Sequence, residues 1–487
     1  MILSIDQSTS ATKAMLWGLD GRALTRADVA HRQITNAQGH IEHDPMEILN
    51  NTYKAAKRAI TAAGVEPSAV DVIAISNQRE TAVCWDKVTG EPLHNAIVWQ
   101  CARATDIVNS VRAAGLEGEV QGRTGLALSP YFSAAKFGWM VRHVQGVADA
   151  MKLNRLCCGT IDSWLVFKLT GAFKTDLSNA SRTQLFDLQG LAWDEGLIEA
   201  FGLTPACMPE PCMSDSLFGM TDLGGILPRR IPIHAVMGDS HAALFGNQCF
   251  EPSMAKATYG TGASVMMNVG AALIKPASGV SASLAWGING KAEYVLEGNI
   301  NYAGAVMQWL MEDVGMLNDI AGGGEVARSV SDTGGVYLVP AFSGLGAPYF
   351  NSGARAAWLG MNRGTNKAHL IRAAMESIAY QVRDVIEAIN QCAPQPITTL
   401  RADGGATKDG FLMEFQAGML GMDIEVSHTE ELSSMGAAFC AAIGAGLTSR
   451  DIFTGQGRRR VKASMDEQTR NRLYAGWQDS VKILTGG

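Results

Sequence analysis

The sequence predicts an α/β chain of two domains, residues 1–246 and 247–487, built as a duplicated pair of βββαβα-type halves. Two loops rich in hydroxyls and small residues, Asp6-Gln7-Ser8-Thr9-Ser10-Ala11-Thr12-Lys13 and Ala257-Thr258-Tyr259-Gly260-Thr261-Gly262-Ala263-Ser264, each sit between strand-like apolar runs, as a repeated hairpin would. Long helical patterns, Met46 to Ala63 and His369 to Ile389, follow them. Near the midpoint, the run Ile231 to Met237 enters Gly238-Asp239-Ser240 and then small apolar residues spaced as at a helix start.

The length supports roughly two to four cores. With 47% apolar and 18% charged residues, the composition is that of an ordinary globular protein. A net charge of −7 leaves no electrostatic footprint for nucleic acid. Arg458-Arg459-Arg460 reads as a solvated turn face. The nine cysteines contain no Cys-x-x-Cys pair and read as reduced, packed thiols. The histidines show no zinc-ligand spacing. Met1-Ile2-Leu3-Ser4-Ile5 opens on a strand without the regions of a signal peptide, and no apolar run is long enough to span a membrane. The expectation is a cytoplasmic protein.

In chain order, the strand Ile2 to Ile5 delivers Asp6 to a hairpin tip of hydroxyls followed by Lys13. Backbone N–H groups and hydroxyls of such a tip cradle phosphate oxygens, Asp6 can hold a hydrated Mg²⁺, and Lys13 can reach a phosphate; a decorative Ser/Thr hairpin is the plain alternative. No Gly-x-x-x-x-Gly-Lys-Ser/Thr pattern and no strand-borne Gly-x-Gly-x-x-Gly with a downstream acid occurs, which argues against P-loop and Rossmann folds. Asp44 is placed to cap the helix that Pro45 begins. The strand Val70 to Ile75 runs into Asn77-Gln78-Arg79-Glu80-Thr81, where Arg79 and Glu80 offer donors and acceptors for vicinal hydroxyls, or form a surface ion pair.

Ala82 to Trp85 and Ala96-Ile97-Val98-Trp99-Gln100 read as strands; Trp99 is either core or one wall of a sugar-like ligand site. Tyr131-Phe132-Ser133 leads into a helix carrying Lys136 and Trp139. Thr160 to Leu169 reads as a strand or short helix, and Arg182 to Asp187 as a strand. Asp239 stands at the mouth of a cleft or serves as an N-cap. The strand from Leu400 ends in Gly404-Gly405-Ala406, where glycines let a flat base approach the backbone. Ser433-Ser434-Met435-Gly436 opens an Ala-rich helix suited to tight packing. Paired phosphate loops imply a nucleotide clamped between the halves.

These stretches resemble the FGGY carbohydrate kinases, of the actin/Hsp70/hexokinase (ribonuclease H-like) fold with its site in the interdomain cleft, and among them the glycerol kinases. The likeness extends over nearly the whole chain. It rests on Glu42-His43-Asp44-Pro45-Met46-Glu47-Ile48, Ser76-Asn77-Gln78-Arg79-Glu80-Thr81, Asn95-Ala96-Ile97-Val98-Trp99-Gln100-Cys101, Tyr131 to Met140, Thr258-Tyr259-Gly260-Thr261-Gly262, and Val339-Pro340-Ala341-Phe342-Ser343-Gly344-Leu345-Gly346-Ala347-Pro348-Tyr349.

The resemblance implies an ATP- and Mg²⁺-dependent kinase acting on a primary hydroxyl of a small polyol or sugar, with glycerol first. By the same resemblance Asp239 is the general base, and Arg79, Glu80, Trp99 and Tyr131 hold the acceptor. Asp6, with Asp239, organises Mg²⁺. Thr9, Ser10 and Lys13 form the first phosphate loop, with Lys13 where Arg is common. Thr261 and Gly262 form the second loop. Gly304, Gln308, Gly405 and Asp409 fall where ribose and base are held, with Asp409 in place of the usual Asn. Two departures shorten one wall of the acceptor pocket: Ser240 replaces a Gln, and Ser264 replaces an aromatic. They open the site to a longer polyol such as erythritol, or to a ketopentose such as xylulose or ribulose. A homodimer stays open as an assembly, and the rival from another class is a nucleotide-switch module of the actin/Hsp70 type.

Overall fold

Every residue of the strand Ile2–Gln7 (β1) is buried, as expected of an apolar run covered on both faces. The computed structural model describes residues 1–276 and 279–486. β1 pairs antiparallel with Ala11–Trp17 (β2), which pairs antiparallel with Ala23–Ala30 (β3). On its other side β1 lies parallel to Val72–Asn77 (β4), and β4 lies parallel to Ile231–Gly238 (β5). The parallel step from β3 to β4 is made through the helix Pro45–Ala63 (α1), as parallel pairing requires. Asp44 caps that helix by accepting from the Met46 N–H at 2.8 Å, and Gly64 ends it in the left-handed conformation.

The second sheet repeats the pattern. Met254–Tyr259 (β6) pairs antiparallel with Ala263–Gly270 (β7), and β7 with Lys291–Ile300 (β8). β6 lies parallel to Thr399–Asp403 (β9), and β9 to Ile424–Ser427 (β10). The duplication read from two similar loops is therefore present as two sheets of one topology. Ser281–Ile288 extends the second sheet at one edge and Arg458–Val461 at the other, so the arginine run lies on an edge strand and not on a turn. A separate five-stranded sheet in the first half includes Ala82–Asp86 and Leu156–Thr160.

Between the two main sheets lie the helices Asp239–Gly246 (α2) and Leu432–Gly444 (α4). Their apolar residues share one core with Ile2, Trp17 and Ala74 of the first sheet and Met266, Trp286 and Val295 of the second. The two backbones meet: a Cβ on Gly436 would strike the Ala242 carbonyl, and one on Gly246 the Leu432 carbonyl. The Ala-rich helix predicted from Ser433 thus packs between the halves, and Ser434 Oγ lies 2.6 Å from Ser4 Oγ of β1. The helix Lys367–Cys392 (α3) covers the second sheet.

Two further sequence readings change, and one left between strand and helix is decided. The strand expected over Ala96 to Gln100 holds only Ala96–Ile97, because the Trp99 N–H turns to Thr81 Oγ1 at 3.2 Å and the Cys101 N–H closes a turn on the Val98 carbonyl. The strand expected over Arg182 to Asp187 is only Phe186–Asp187, since Arg182 and Thr183 close turns on the Asn179 and Ala180 carbonyls. Thr160 to Leu169 resolves as the helix Ile161–Thr170. Among the described residues no disulfide forms, and no helix is long and apolar enough to cross a membrane.

Two outcomes follow from this packing. Gly436→Ala should lower stability by about 1–3 kcal/mol through overpacking, seen as an earlier denaturant midpoint. His43, fully buried beside His31, is held by burial down to a pKa of about 3, whereas the unfolded chain takes up that proton near 6.5. Its contribution is complete above about pH 6.5 and is lost as pH falls toward 3. Equilibrium unfolding of His43→Gln should show a shallower pH slope in that window, and an unaltered slope would rule the histidine out.

Candidate active site

β5 ends at Gly238, which occupies the capping position of α2 and leaves Asp239 as the first helical residue. Asp239 is therefore not the N-cap. Its side chain is partly exposed, with Oδ1 accepting from the Ser240 N–H at 2.6 Å and facing Arg79 Nε at 3.4 Å. Gly238 makes this approach possible, because a Cβ there would stand 2.8 Å from the arginine stem.

Arg79 and Glu80 follow the end of β4, with Glu80 in the left-handed region at φ 62°, a conformation that costs about 1–3 kcal/mol and is held only where the surroundings demand it. Both side chains are buried, so the surface ion pair is excluded. Each has a distant partner. Arg79 grips Glu297 with both terminal nitrogens, at 3.0 and 2.8 Å, and Glu80 Oε1 accepts from Arg182 Nε at 2.6 Å. Although burial opposes it, Arg79 and Arg182 hold Glu297 well below the usual carboxylate range.

Trp99 is half-buried rather than core. Its Nε1–H donates to Thr9 Oγ1 at 3.0 Å, and its ring lies 5.5 Å from that of Tyr131 at 60°. The Tyr131 loop is tied down by Lys136, a fully buried ammonium that donates to the Pro130 and Phe132 carbonyls at 2.9 and 3.2 Å, and also to the Tyr131 carbonyl. Burial lowers the Lys136 pKa to about 7. Ser264 Oγ donates to Glu297 Oε1 at 3.2 Å. Arg79, Glu80, Asp239 and Ser264 are thus joined in one polar network through Glu297, Trp99 and Tyr131 meet each other through their rings, and Ser240 lies beside Asp239.

Asp6 closes β1 almost fully buried, accepting from Ser76 Oγ at 2.6 Å. Burial raises its pKa to about 6, with Lys13 pulling it down and Asp239 adding to the rise. Lys13, 3.9 Å from Asp6, is held more closely by Glu431 at 2.9 Å. Thr9 and the exposed Ser10 form the hairpin tip, where their carbonyls accept from the His31 ring and the His31 N–H. In the second hairpin the Gly260 N–H closes on the Gly262 carbonyl. Thr261 and Gly260 carbonyls then accept from the first turn of the helix Gly304–Glu312, which brings Thr261, Gly262 and Gly304 together.

A cavity of about 680 Å³ opens between Asp6 and Lys13 on one side and Thr258, Gly405 and Gly410 on another. Its volume suits a nucleotide. Of the residues expected to hold nucleotide, Lys13 and Gly405 line it, whereas Thr9, Ser10, Thr261, Gly262, Gly304, Gln308 and Asp409 are not among its described lining residues. Gln308 is exposed and bonded to Glu312, and Asp409 caps the helix Gly410–Leu420 through the Leu412 N–H at 2.9 Å.

Among the described residues no group of three or more His, Cys, Asp or Glu side chains could hold a metal ion. Asp6 and Asp239 stand at the ends of β1 and β5 on either side of β4, and the charge of Asp239 reaches Asp6. Two carboxylates with room for water and phosphate oxygens are a donor set that fits Mg²⁺, which keeps most of its hydration.

Arg182, Lys256 and Glu297 escaped the sequence reading. Lys256 is buried on β6 with its Nζ 2.9 Å from Thr258 Oγ1, and burial lowers its pKa. The signal was present: a charge inside an apolar stretch of strand, Lys256 as the one charge of Met254–Tyr259 and Glu297 directly after Tyr294-Val295-Leu296.

Comparison with known proteins places this geometry. Residues 1–246 match the N-terminal domain of the FGGY family of carbohydrate kinases, and residues 255–445 match its C-terminal domain. The chain is 44% identical to glycerol kinase 1 of Thermotoga maritima over 99% of both chains. It is 43% identical to a glycerol kinase of Carboxydothermus hydrogenoformans, over 99% of this chain and 97% of that one. Among solved structures, Plasmodium falciparum glycerol kinase with ADP superposes with a TM-score of 0.92 at 32% identity, covering 99% of this chain and 98% of that one. Xylulose kinase from Lactobacillus acidophilus shares the fold at a TM-score of 0.88 and 20% identity, over 100% and 99% of the two chains. The chain belongs to the FGGY family of carbohydrate kinases.

Proposed function

We propose that this kinase transfers the γ-phosphoryl group of ATP to a primary hydroxyl of a small polyol, with glycerol as the first acceptor and glycerol 3-phosphate as product. The observation that carries the reading is the placement of Asp239: one partly exposed carboxylate at a strand end, against a buried arginine and across β4 from Asp6. Asp239 takes the hydroxyl proton as that oxygen bonds to the γ-phosphorus. The bond from phosphorus to the bridging oxygen breaks, and ADP leaves with the electron pair. Phosphoryl transfer needs little covalent help, so positioning and charge neutralisation supply most of the rate.

Arg79, Glu80, Trp99 and Tyr131 orient the acceptor, with Lys136 fixing the loop that carries Tyr131. Thr9, Ser10 and Lys13 face the phosphates from the first half, Thr261 and Gly262 from the second, and Gly405 stands on the base side of the cavity. Glu431 holds Lys13 where a phosphate oxygen would sit, so nucleotide entry exchanges one anion for another. Mg²⁺, held by Asp6 and Asp239 with its own waters, supplies neutralisation of charge on the phosphate oxygens when bound. Gly304 adjoins the second loop. Of the nucleotide-holding residues only Lys13 and Gly405 line the cavity, so the two loop tips, Gly304, Gln308 and Asp409 reach the nucleotide when the cleft narrows. The polyol-holding side chains weigh against a nucleotide-switch module, which has no use for them.

Ser240 and Ser264 favour acceptors one carbon longer beside glycerol, because a hydroxyl at Ser264 joins the polar network where an aromatic would close the wall. A coupled ADP-release assay over glycerol, erythritol, ribulose and xylulose tests the acceptor class; turnover of a ketopentose alone would remove the polyol reading. Asp239→Asn should keep nucleotide binding and lose turnover by about 10²–10⁴-fold, the usual worth of a general base. Near-parent activity would take Asp239 out of the role. Ser264→Phe should lower the erythritol-to-glycerol ratio of kcat/KM by about tenfold or more, the scale of one methylene in a pocket.

A further inference from the structure

Glu297 lies in β8, in the second half of the chain, yet its two ionic partners, Arg79 and Arg182, are residues of the first. Its side chain is fully excluded from solvent. Oε1 accepts from an Arg79 terminal nitrogen at 2.8 Å and from Ser264 Oγ at 3.2 Å, and Oε2 accepts from the other Arg79 terminal nitrogen at 3.0 Å. Arg182 Nη1 lies 2.9 Å from Oε2, close enough for an ion pair though not aligned as a hydrogen bond. A two-point grip of this kind fixes the plane of a guanidinium.

That plane matters for what lies beyond it. With both terminal nitrogens turned to Glu297, Arg79 presents its Nε to Asp239 at 3.4 Å. Arg182, anchored at the same carboxylate, presents its Nε to Glu80 at 2.6 Å. Glu80 is held at φ 62°, so its side chain has little freedom to find another partner.

We infer that Glu297 is a positioning residue for the acceptor site. From the second half it orients Arg79, and through it the Asp239 carboxylate, and by way of Arg182 it orients Glu80. The inference rests on the proposed reading of Asp239, Arg79 and Glu80 as the acceptor machinery. It adds that this machinery is complete only when a strand of the other half supplies the carboxylate. A purely structural role, neutralising two buried arginines, would depress stability and every kinetic constant together. A positioning role separates them, because the side-chain partners of Glu297 are Arg79, Arg182 and Ser264, none of them a residue read as holding nucleotide.

The test uses Glu297→Gln and Glu297→Asp in the full chain, with steady-state kinetics in glycerol and ATP and direct binding of a non-hydrolysable ATP analogue. Glu297→Gln keeps the shape and loses the charge. Its kcat/KM for glycerol should fall by about 100-fold, the cost of a small misplacement, with both a lower kcat and a raised glycerol KM, while analogue affinity holds. Glu297→Asp keeps the charge and shortens the reach; it should fold with a melting temperature near the parent's and recover part of the loss. Parent-like glycerol kinetics in both variants would overturn the inference, as would a parallel loss of analogue affinity. Failure of both variants to fold would make Glu297 a folding element and overturn it equally. Near-parent activity of Asp239→Asn would instead remove the reading of the site on which the inference depends.

Discussion

Two helix backbones in contact set the geometry of everything else. α2 begins with Asp239 and α4 follows Glu431, so the close approach of Gly246 to Leu432 and of Ala242 to Gly436 fixes a residue of the acceptor site against one that borders the cavity. Glycine at these points is a matter of space: interiors pack at crystal-like density, and a methyl group has nowhere to go without parting the helices. Both sheets rest on this pair of helices, so each strand end is carried to the same cleft by the same support.

Charge follows from that packing. Asp6, Arg79, Glu80, Arg182, Lys256 and Glu297 are all withdrawn from water, and a buried charge is tolerated only with partners. Arg79 and Arg182 of the first half find theirs across the cleft in Glu297, while Glu80 pairs with Arg182, Asp6 with Ser76 and Lys13, and Lys256 with Thr258 within their own halves. Asp239 is the exception, partly open and in contact with one arginine, as a carboxylate that must meet an incoming hydroxyl should be.

What the sequence made legible was local. Asp239 could be read because a strand, a glycine, an acid and a helix follow one another, and the two hairpins because each contains its own hydroxyls and turn residues. The helix from Pro45 was legible for the same reason, its cap and first residue being adjacent. Glu297 was not, since Arg79 is 218 residues away and no pattern within the apolar run Lys291–Ile300 names its partner. The strand expected through Trp99 failed likewise: apolar residues continued, but the Trp99 N–H found a threonine hydroxyl 18 residues earlier instead of a neighbouring strand. Asp409 was placed by resemblance alone, and its local role as a helix cap was open to view in the glycine that follows it.

The same distinction bears on how the two halves work as one enzyme. Each hairpin could form within its own half, because its donors and acceptors are neighbours in sequence. The acceptor grip could not, since Arg79 and Glu297 come from different sheets and neither is satisfied alone. A carboxylate shared between halves ties the alignment of the general base to the relative position of the sheets. On the proposed reading, a motion that opened the cleft to nucleotide would act on Asp239 through Arg79, without any change in Asp239 itself. Readiness of the base and closure of the cleft would then be one event, the arrangement by which closing enzymes restrict phosphoryl transfer to water.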